Sequence, residues 1–156
     1  MITPRLQKFF DNYAASHQTP GNQITHYFGI TIIVMSLLGL LGNFTFQSNL
    51  VLFTSSYFRL DPGTCLILLT LPFYLYLDWK IAPPFALILF GLYFLGRAVP
   101  TPINCALFVL GWVLQGIGHA VFEKRSPAFF QNLLHLLIGP LWIFSKTVRY
   151  WKPPLK

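Results

Sequence analysis

Charge is what this 156-residue sequence has least of. No Asp, Glu, Lys or Arg occurs between Asp11 and Arg59, and further charge-free runs cover residues 62–77, 81–96, 98–122 and 126–145. The last two reach the roughly 20 residues a helix needs to cross a bilayer, and the shorter ones fall at or just below it. A core helix of a soluble domain keeps a charged outer stripe, and these runs have none. Charged residues make up 10% of the chain and apolar ones 54%, where a typical globular protein carries about 25% charged. An ordinary soluble domain is thereby excluded, and an integral membrane protein is expected.

Acidic residues number only four, which leaves a net charge of +7. The basic residues form no stripe. They stand singly at the ends of apolar runs or in the tail Lys146, Arg149, Lys152 and Lys156, where such side chains anchor helices in lipid headgroups. Nucleic acid is therefore not an expected partner; the bilayer is. Cysteine is scarce as well. Cys65 and Cys105 lie in apolar runs without CxxC spacing and read as two buried, reduced thiols. The first 26 residues hold no apolar signal-peptide core, so the first hydrophobic segment is expected to stay in the mature protein. Internal repeats and low-complexity stretches are missing too.

What is present is helical patterning. Leu6, Phe9, Phe10 and Tyr13 recur at three- and four-residue steps between Arg5, Lys8 and Asp11, which predicts an amphipathic helix over 3–15 lying along the interface. Pro20-Gly21 signals a turn. A first hydrophobic helix follows over about 23–41, then an ambiguous stretch over 42–59 that fits a re-entrant segment, a loop or a helix. Asp61-Pro62-Gly63 marks a break, with Asp61 as N-cap. Further helices are predicted over about 63–79, 83–96, 102–123 and 127–150, the last kinked at Pro140. The expected fold is all-α: a polytopic transmembrane bundle of about five hydrophobic helices with an N-terminal interfacial helix. It forms one domain over 1–156, divided into helix and turn (1–22), bundle (23–150) and basic tail (151–156).

Topology bears on chemistry. With Arg5 and Lys8 on the cytoplasmic side, the first helix runs outward. If 42–59 does not cross, His119 returns to the level of His26; if it does, His119 lands on the opposite face. Charge bias alone leaves both open, and a histidine site shared by His17, His26 and His119 favours the non-crossing case.

The four histidines, His17, His26, His119 and His135, all lie in or beside apolar sequence, and imidazole is the commonest protein ligand for iron and zinc. His17 and His26 flank the Pro-Gly turn. Gln115, His119 and Glu123 share one helix face, as do Asn132 and His135. Such a stripe is costly against lipid and should face inward. Asp78, before Trp79-Lys80, reads as an interfacial ion pair. A histidine site and a bundle of helix–helix hydrogen bonds both fit these spacings.

Two motifs sharpen the choice. His17-Gln-Thr-Pro20-Gly-Asn22-Gln-Ile-Thr-His26, followed by Gly29, resembles the N-terminal signature of the 2-hydroxy fatty acid dioxygenase family of small membrane proteins. Gly111-Trp112, then Gln115-Gly-Ile-Gly118-His119-Ala-Val-Phe-Glu123-Lys-Arg125-Ser-Pro127-Ala128 and Asn132-Leu133, is similar to its second block. The resemblance implies an Fe(2+)-dependent enzyme of fatty acid alpha-oxidation. Such an enzyme uses O2 to shorten a 2-hydroxy fatty acid by one carbon, with loss of the carboxyl carbon; Arg5 and Lys8 beside the first helix lead to the expectation of a metal site near the cytoplasmic face. It implies His17, His26 and His119 as metal ligands, with His135 as a fourth that its helix face permits. From spacing alone, Arg125 or Lys124 is expected to pair with the substrate carboxylate, and Glu123 to orient His119 or take a proton. Asn22, Gln115 and Asn132 donate around the ligands. A di-iron lipid hydroxylase fits poorly, since those enzymes resemble one another in clustered HxxxH and HxxHH pairs. The remaining alternative is a non-enzymatic scaffold or lipid-binding subunit.

Overall fold

Caps and prolines decide where the helices begin. In this computed structural model, which describes residues 2–44, 60–124 and 133–151, every regular element is helical. Helix α1 (Pro4–Ala15) starts on Thr3, whose hydroxyl accepts from the Leu6 N–H at 3.3 Å. It buries Leu6, Phe10 and Tyr13, the face that their spacing predicts. Helix α2 (Pro20–Asn43) begins three residues before the expected start. Pro20, read as a turn residue, occupies the first helical turn, where its missing N–H costs nothing, and Thr19 caps it. Helix α3 (Pro62–Leu77) has Asp61 as its N-cap, as expected, and adds a reciprocal bond that makes a capping box: Thr64 N–H donates to Asp61 and Asp61 N–H to the Thr64 hydroxyl, both at 3.0 Å. Helices α4 (Ala82–Ala98) and α5 (Thr101–Ile117) follow, and α5 continues as one π-helical stretch (Gly118–Glu123). Helix α6 spans Leu134–Thr147. Most of the ambiguous 42–59 stretch, the first residues of the predicted last helix and nearly all of the basic tail lie outside the described residues.

Helix α2 is the centre of the bundle, packed against α3, α4 and α5. Backbones meet directly where glycines face each other. A Cβ on Gly96 would lie 2.2 Å from the Met35 carbonyl oxygen, and one on Gly39 would lie 2.4 Å from the Gly96 backbone. Small residues at such crossings let helix backbones approach closely.

The ends of the helices order the topology. Gly63, at the start of α3, sits against Leu38 and Gly42 at the end of α2. The chain therefore leaves and rejoins the described bundle at one end, and α3 runs back beside α2. Helix α4 then returns to Gly39, and α5 comes back to the first turns of α2, which puts His119 level with His26. The arrangement that separates them is ruled out.

Hydrogen bonds tie down both ends. At one, Tyr93 O–H donates to the Asp61 carboxylate and Arg97 Nη1 donates to the Tyr93 oxygen at 3.1 Å. At the other, buried Asp78 accepts from Thr3 N–H (2.9 Å), Lys80 N–H (3.1 Å) and Tyr150 O–H (2.9 Å). Asp78 was expected to form an ion pair. Among the described residues it has no cation partner, because backbone amides and a phenol already use its oxygens. Cys105 also departs from expectation: it faces outward on α5 and Cys65 is half-buried.

Helix α2 (24 residues) and the continuous 101–123 helix (23 residues) are each long and apolar enough to cross a membrane; α3 and α4 are shorter apolar helices. Their outer faces are apolar too, with Leu69 and Leu87 exposed by 78% and 73%. The Gly96 crossing gives a direct test. Gly96→Ala should cost about 1–3 kcal/mol in thermal unfolding. Gly91→Ala, whose Cβ meets nothing within 4 Å, should be neutral or stabilising. Equal stability of the two variants would contradict the packing described.

Candidate metal centre

Tyr13 ends the buried face of α1, and His17 follows four residues later. The His17 ring stacks on Tyr13 (centroids 4.0 Å apart, 10° between planes), and its Nδ1 donates to the Tyr13 carbonyl at 2.7 Å. His26, in the second turn of α2, donates from Nδ1 to the Asn22 carbonyl at 2.9 Å. A carbonyl oxygen can only accept, so in both rings Nδ1 carries the proton and Nε2 keeps a lone pair. His119 arrives on the π-helical stretch, its Nε2 3.1 Å from that of His26. One nitrogen from each of the three rings lies within 4.8 Å of the others, and all three side chains are buried.

That donor set suits a metal. Imidazole nitrogens bind transition ions at about 2.0–2.1 Å, and ligating histidines characteristically donate their other N–H to a carbonyl, which fixes ring and tautomer. Burial holds the His17 imidazole well below its ordinary range, at about 4, against the opposing pull of the Tyr13 carbonyl. The neutral ring is what a metal needs.

Glu123, the last residue of the π-helical stretch, reaches with its carboxylate into the turn between α1 and α2. Its carboxylate accepts from Gln18 N–H (3.1 Å), Thr19 N–H (3.2 Å), the Thr19 hydroxyl (3.0 Å) and Asn22 Nδ2 (3.0 Å). It closes residues 17–22 onto the end of α5 and makes no bond to His119, whose Nδ1 has no partner among the described residues. Asn22 thus serves His26 through its backbone and Glu123 through its side chain. Gln115 and His135 are buried close by, Gln115 in the space left by the missing Cβ of Gly29, which would lie 2.5 Å from its Nε2. His135 stands edge-on to Tyr13 (5.8 Å) and does not join the group of three. Arg125 and Asn132 lie outside the described residues, and Lys124 is exposed with a left-handed backbone (φ 54°).

Three contributors went unnoticed in the sequence. Tyr13 supplies both the stacking face and the Nδ1 acceptor of His17. Trp142 packs 5.2 Å from Tyr13 and 6.1 Å from His17. Gln23 donates to the His17 carbonyl (2.8 Å) and accepts from Lys146 (2.8 Å). Tyr13 alone left a signal, standing one helical turn before His17 on the apolar face of α1.

A cavity of about 300 Å³ opens from the histidines. Along α2 its lining runs from His26 to Leu38, twelve residues or about 18 Å. Its other walls include Ile67, Leu89, Phe108 and Trp112.

Two measurements check this geometry. Because the unfolded chain binds a proton at His17 more readily than the folded one, stability is full above the ordinary value of 6.5. It should fall as pH drops from there towards 4. Melting of the metal-free protein between pH 7 and pH 4 reads this directly, and a transition independent of pH would count against a buried neutral ring. Glu123→Ala should speed hydrogen exchange at Gln18 and Thr19 by about tenfold or more, since hydrogen bonds to a charged group are worth roughly 1.5–3 kcal/mol. Unchanged exchange would remove the clasp.

Comparison with known proteins places this geometry. Residues 3–60 and 62–150 match the Mpo1-like family, described as 2-hydroxy-palmitic acid dioxygenase Mpo1-like. Over 38 residues, 24% of this chain, the sequence is 50% identical to the 2-hydroxy-palmitic acid dioxygenase MPO1 of Saccharomyces cerevisiae. The aligned stretch spans 22% of that protein's length. No solved structure matches. With the family match running over most of the sequence, and with three buried histidines able to hold a metal ion, the chain belongs to the Mpo1-like 2-hydroxy-palmitic acid dioxygenase family.

Proposed function

We propose that this chain is a membrane-embedded, iron(II)-dependent dioxygenase that uses O2 to convert a 2-hydroxy fatty acid into the acid one carbon shorter. The observation that carries the reading is the convergence of His17, His26 and His119. Two of these rings have their tautomers set by carbonyls, and the group lies at one end of an apolar cavity. Three neutral imidazoles suit iron and zinc alike, and the dioxygenase chemistry in the family's name favours iron. Bound iron(II) would supply open coordination positions for O2 and a hydroxy-carboxylate, and would relay to O2 the electrons that the substrate gives up as it loses its carboxyl carbon.

The chain's own residues do the rest. His17, His26 and His119 present nitrogen lone pairs. Tyr13 and the Asn22 backbone hold two of those rings in place. Glu123 works as a positioning residue, because its oxygens are taken by the turn that carries His17. Ile30, Ile33, Leu37 and Phe108 receive the acyl chain and keep water from it. Arg125, just beyond the described residues, keeps its role as a candidate partner for the substrate carboxylate at headgroup depth.

Membrane placement rests on the long apolar α2 and 101–123 helices and on outward-facing apolar side chains such as Leu69 and Leu87. The three histidines gather around the first turns of α2, and Arg5 and Lys8 on the preceding α1 favour a site near the cytoplasmic face.

Protein purified under reducing, iron-replete conditions should contain about one iron per chain and turn 2-hydroxypalmitate and O2 into the odd-chain acid. His17→Ala, His26→Ala and His119→Ala should each lose metal, and turnover should fall by at least about 100-fold. A folded, monodisperse, metal-free protein without product would sink the enzyme and point to a scaffold.

A further inference from the structure

Two buried polar side chains of the cavity remain without a task. Gln115 Nε2 and both ring nitrogens of His135 have no hydrogen-bond partner among the described residues, and each side chain is only 7% exposed. Both line the cavity, one from α5 and the other from α6. Unpaired buried donors are uncommon in a folded protein and call for an explanation. Helix packing offers none here, since neither group bonds to a neighbouring helix. Gln115 even has room reserved for it, because a Cβ on Gly29 would collide with its amide at 2.5 Å. His135 packs at right angles to Tyr13, the ring on which His17 stacks, and it is not one of the three grouped histidines.

An apolar cavity with unpaired donors near its polar end is built for an amphiphile whose head accepts hydrogen bonds. No lysine or arginine is among its described lining residues, so an amide and an imidazole are the groups left there to read the head. We propose that Gln115 and His135 form the carboxylate-reading pair of this cavity. Gln115 donates from Nε2 to one carboxylate oxygen, and His135 donates from one ring nitrogen to the same head group. The pair then selects a 2-hydroxy acid over the neutral diol of the same chain length. The substrate class rests on the function proposed above, and His135 takes this role in place of a fourth metal ligand.

Binding to the metal-free full-length protein tests the pair apart from turnover. Trp112 lines the cavity, so intrinsic fluorescence reports occupancy. The probes are 2-hydroxypalmitate and the vicinal diol made by reducing its carboxyl group. Wild type should bind the acid at least about tenfold more tightly than the diol, the effect of roughly one retained hydrogen bond. Gln115→Leu with His135→Phe should remove that preference, leaving diol affinity and iron content at wild-type values. Retained diol affinity also shows that the variant is folded. If the apolar pair fails to fold, Gln115→Glu keeps shape and polarity while repelling the carboxylate, and should weaken the acid alone. Equal binding of acid and diol by wild type, or a wild-type preference in these variants, overturns the proposal. Iron lost from His135→Phe overturns it for that residue by making it a ligand. The two readings fail separately. Acid preference without turnover in iron(II) and O2 would sink the reaction and leave the pair. Turnover without acid preference would do the reverse.

Discussion

The antiparallel contact between α2 and α5 sets the level at which everything else meets. It depends on backbone approaching backbone: a Cβ on Gly111 would lie 2.9 Å from the Gly29 carbonyl oxygen and 2.6 Å from the Ile33 side chain. Such glycines let the two backbones approach closely enough for van der Waals packing along the whole crossing. The same contact sets the register of the site. His26 lies in the second turn of α2 and His119 just beyond α5, and their nitrogens stand 3.1 Å apart. Sliding one helix by a single turn, about 5.4 Å, would separate them.

His17 belongs to neither helix and is held by many weaker ties. Its ring rests on Tyr13 of α1, its carbonyl accepts from Gln23 of α2, and its turn is gripped by Glu123 from the end of α5. Lys146 of α6 extends the chain of contacts through Gln23 and lies over the Trp142 ring at 4.4 Å. One histidine of the three is therefore placed jointly by α1, α2, α5 and α6. The π-helical stretch carries both His119 and Glu123, so a single irregular turn supplies one ring of the site and the grip on another.

Much of the fold was legible because its signals are local. Capping at Asp61, the apolar face of α1 and the apolar runs of α2 to α5 are set by a few neighbouring residues and by hydropathy. Pro20 misled, because Pro-Gly suits both a turn and a first helical turn, and only the Thr19 cap distinguishes them. Asp78 misled because its partners, Thr3 and Tyr150, are more than 70 residues away. Cys105 faces outward because the outer faces of these helices are as apolar as their inner ones, so hydropathy carries no information about side.

By itself the sequence determined an all-helical, charge-poor chain and nominated its four histidines, since composition and short-range periodicity carry both. The motif resemblance had already pointed to His17, His26 and His119, but their convergence was decided only by tertiary structure. His26 and His119 are 93 residues apart, and charge bias permitted two arrangements of the intervening helices. The contact of Gly63 with Leu38 and Gly42 selects one of them. His119 is thereby brought to His26, while His135 is left at the edge of Tyr13. Glu123, nominated for its spacing from His119, is turned instead towards the amides of the 17–22 turn, because those donors come from a segment that no helical spacing could bring into view.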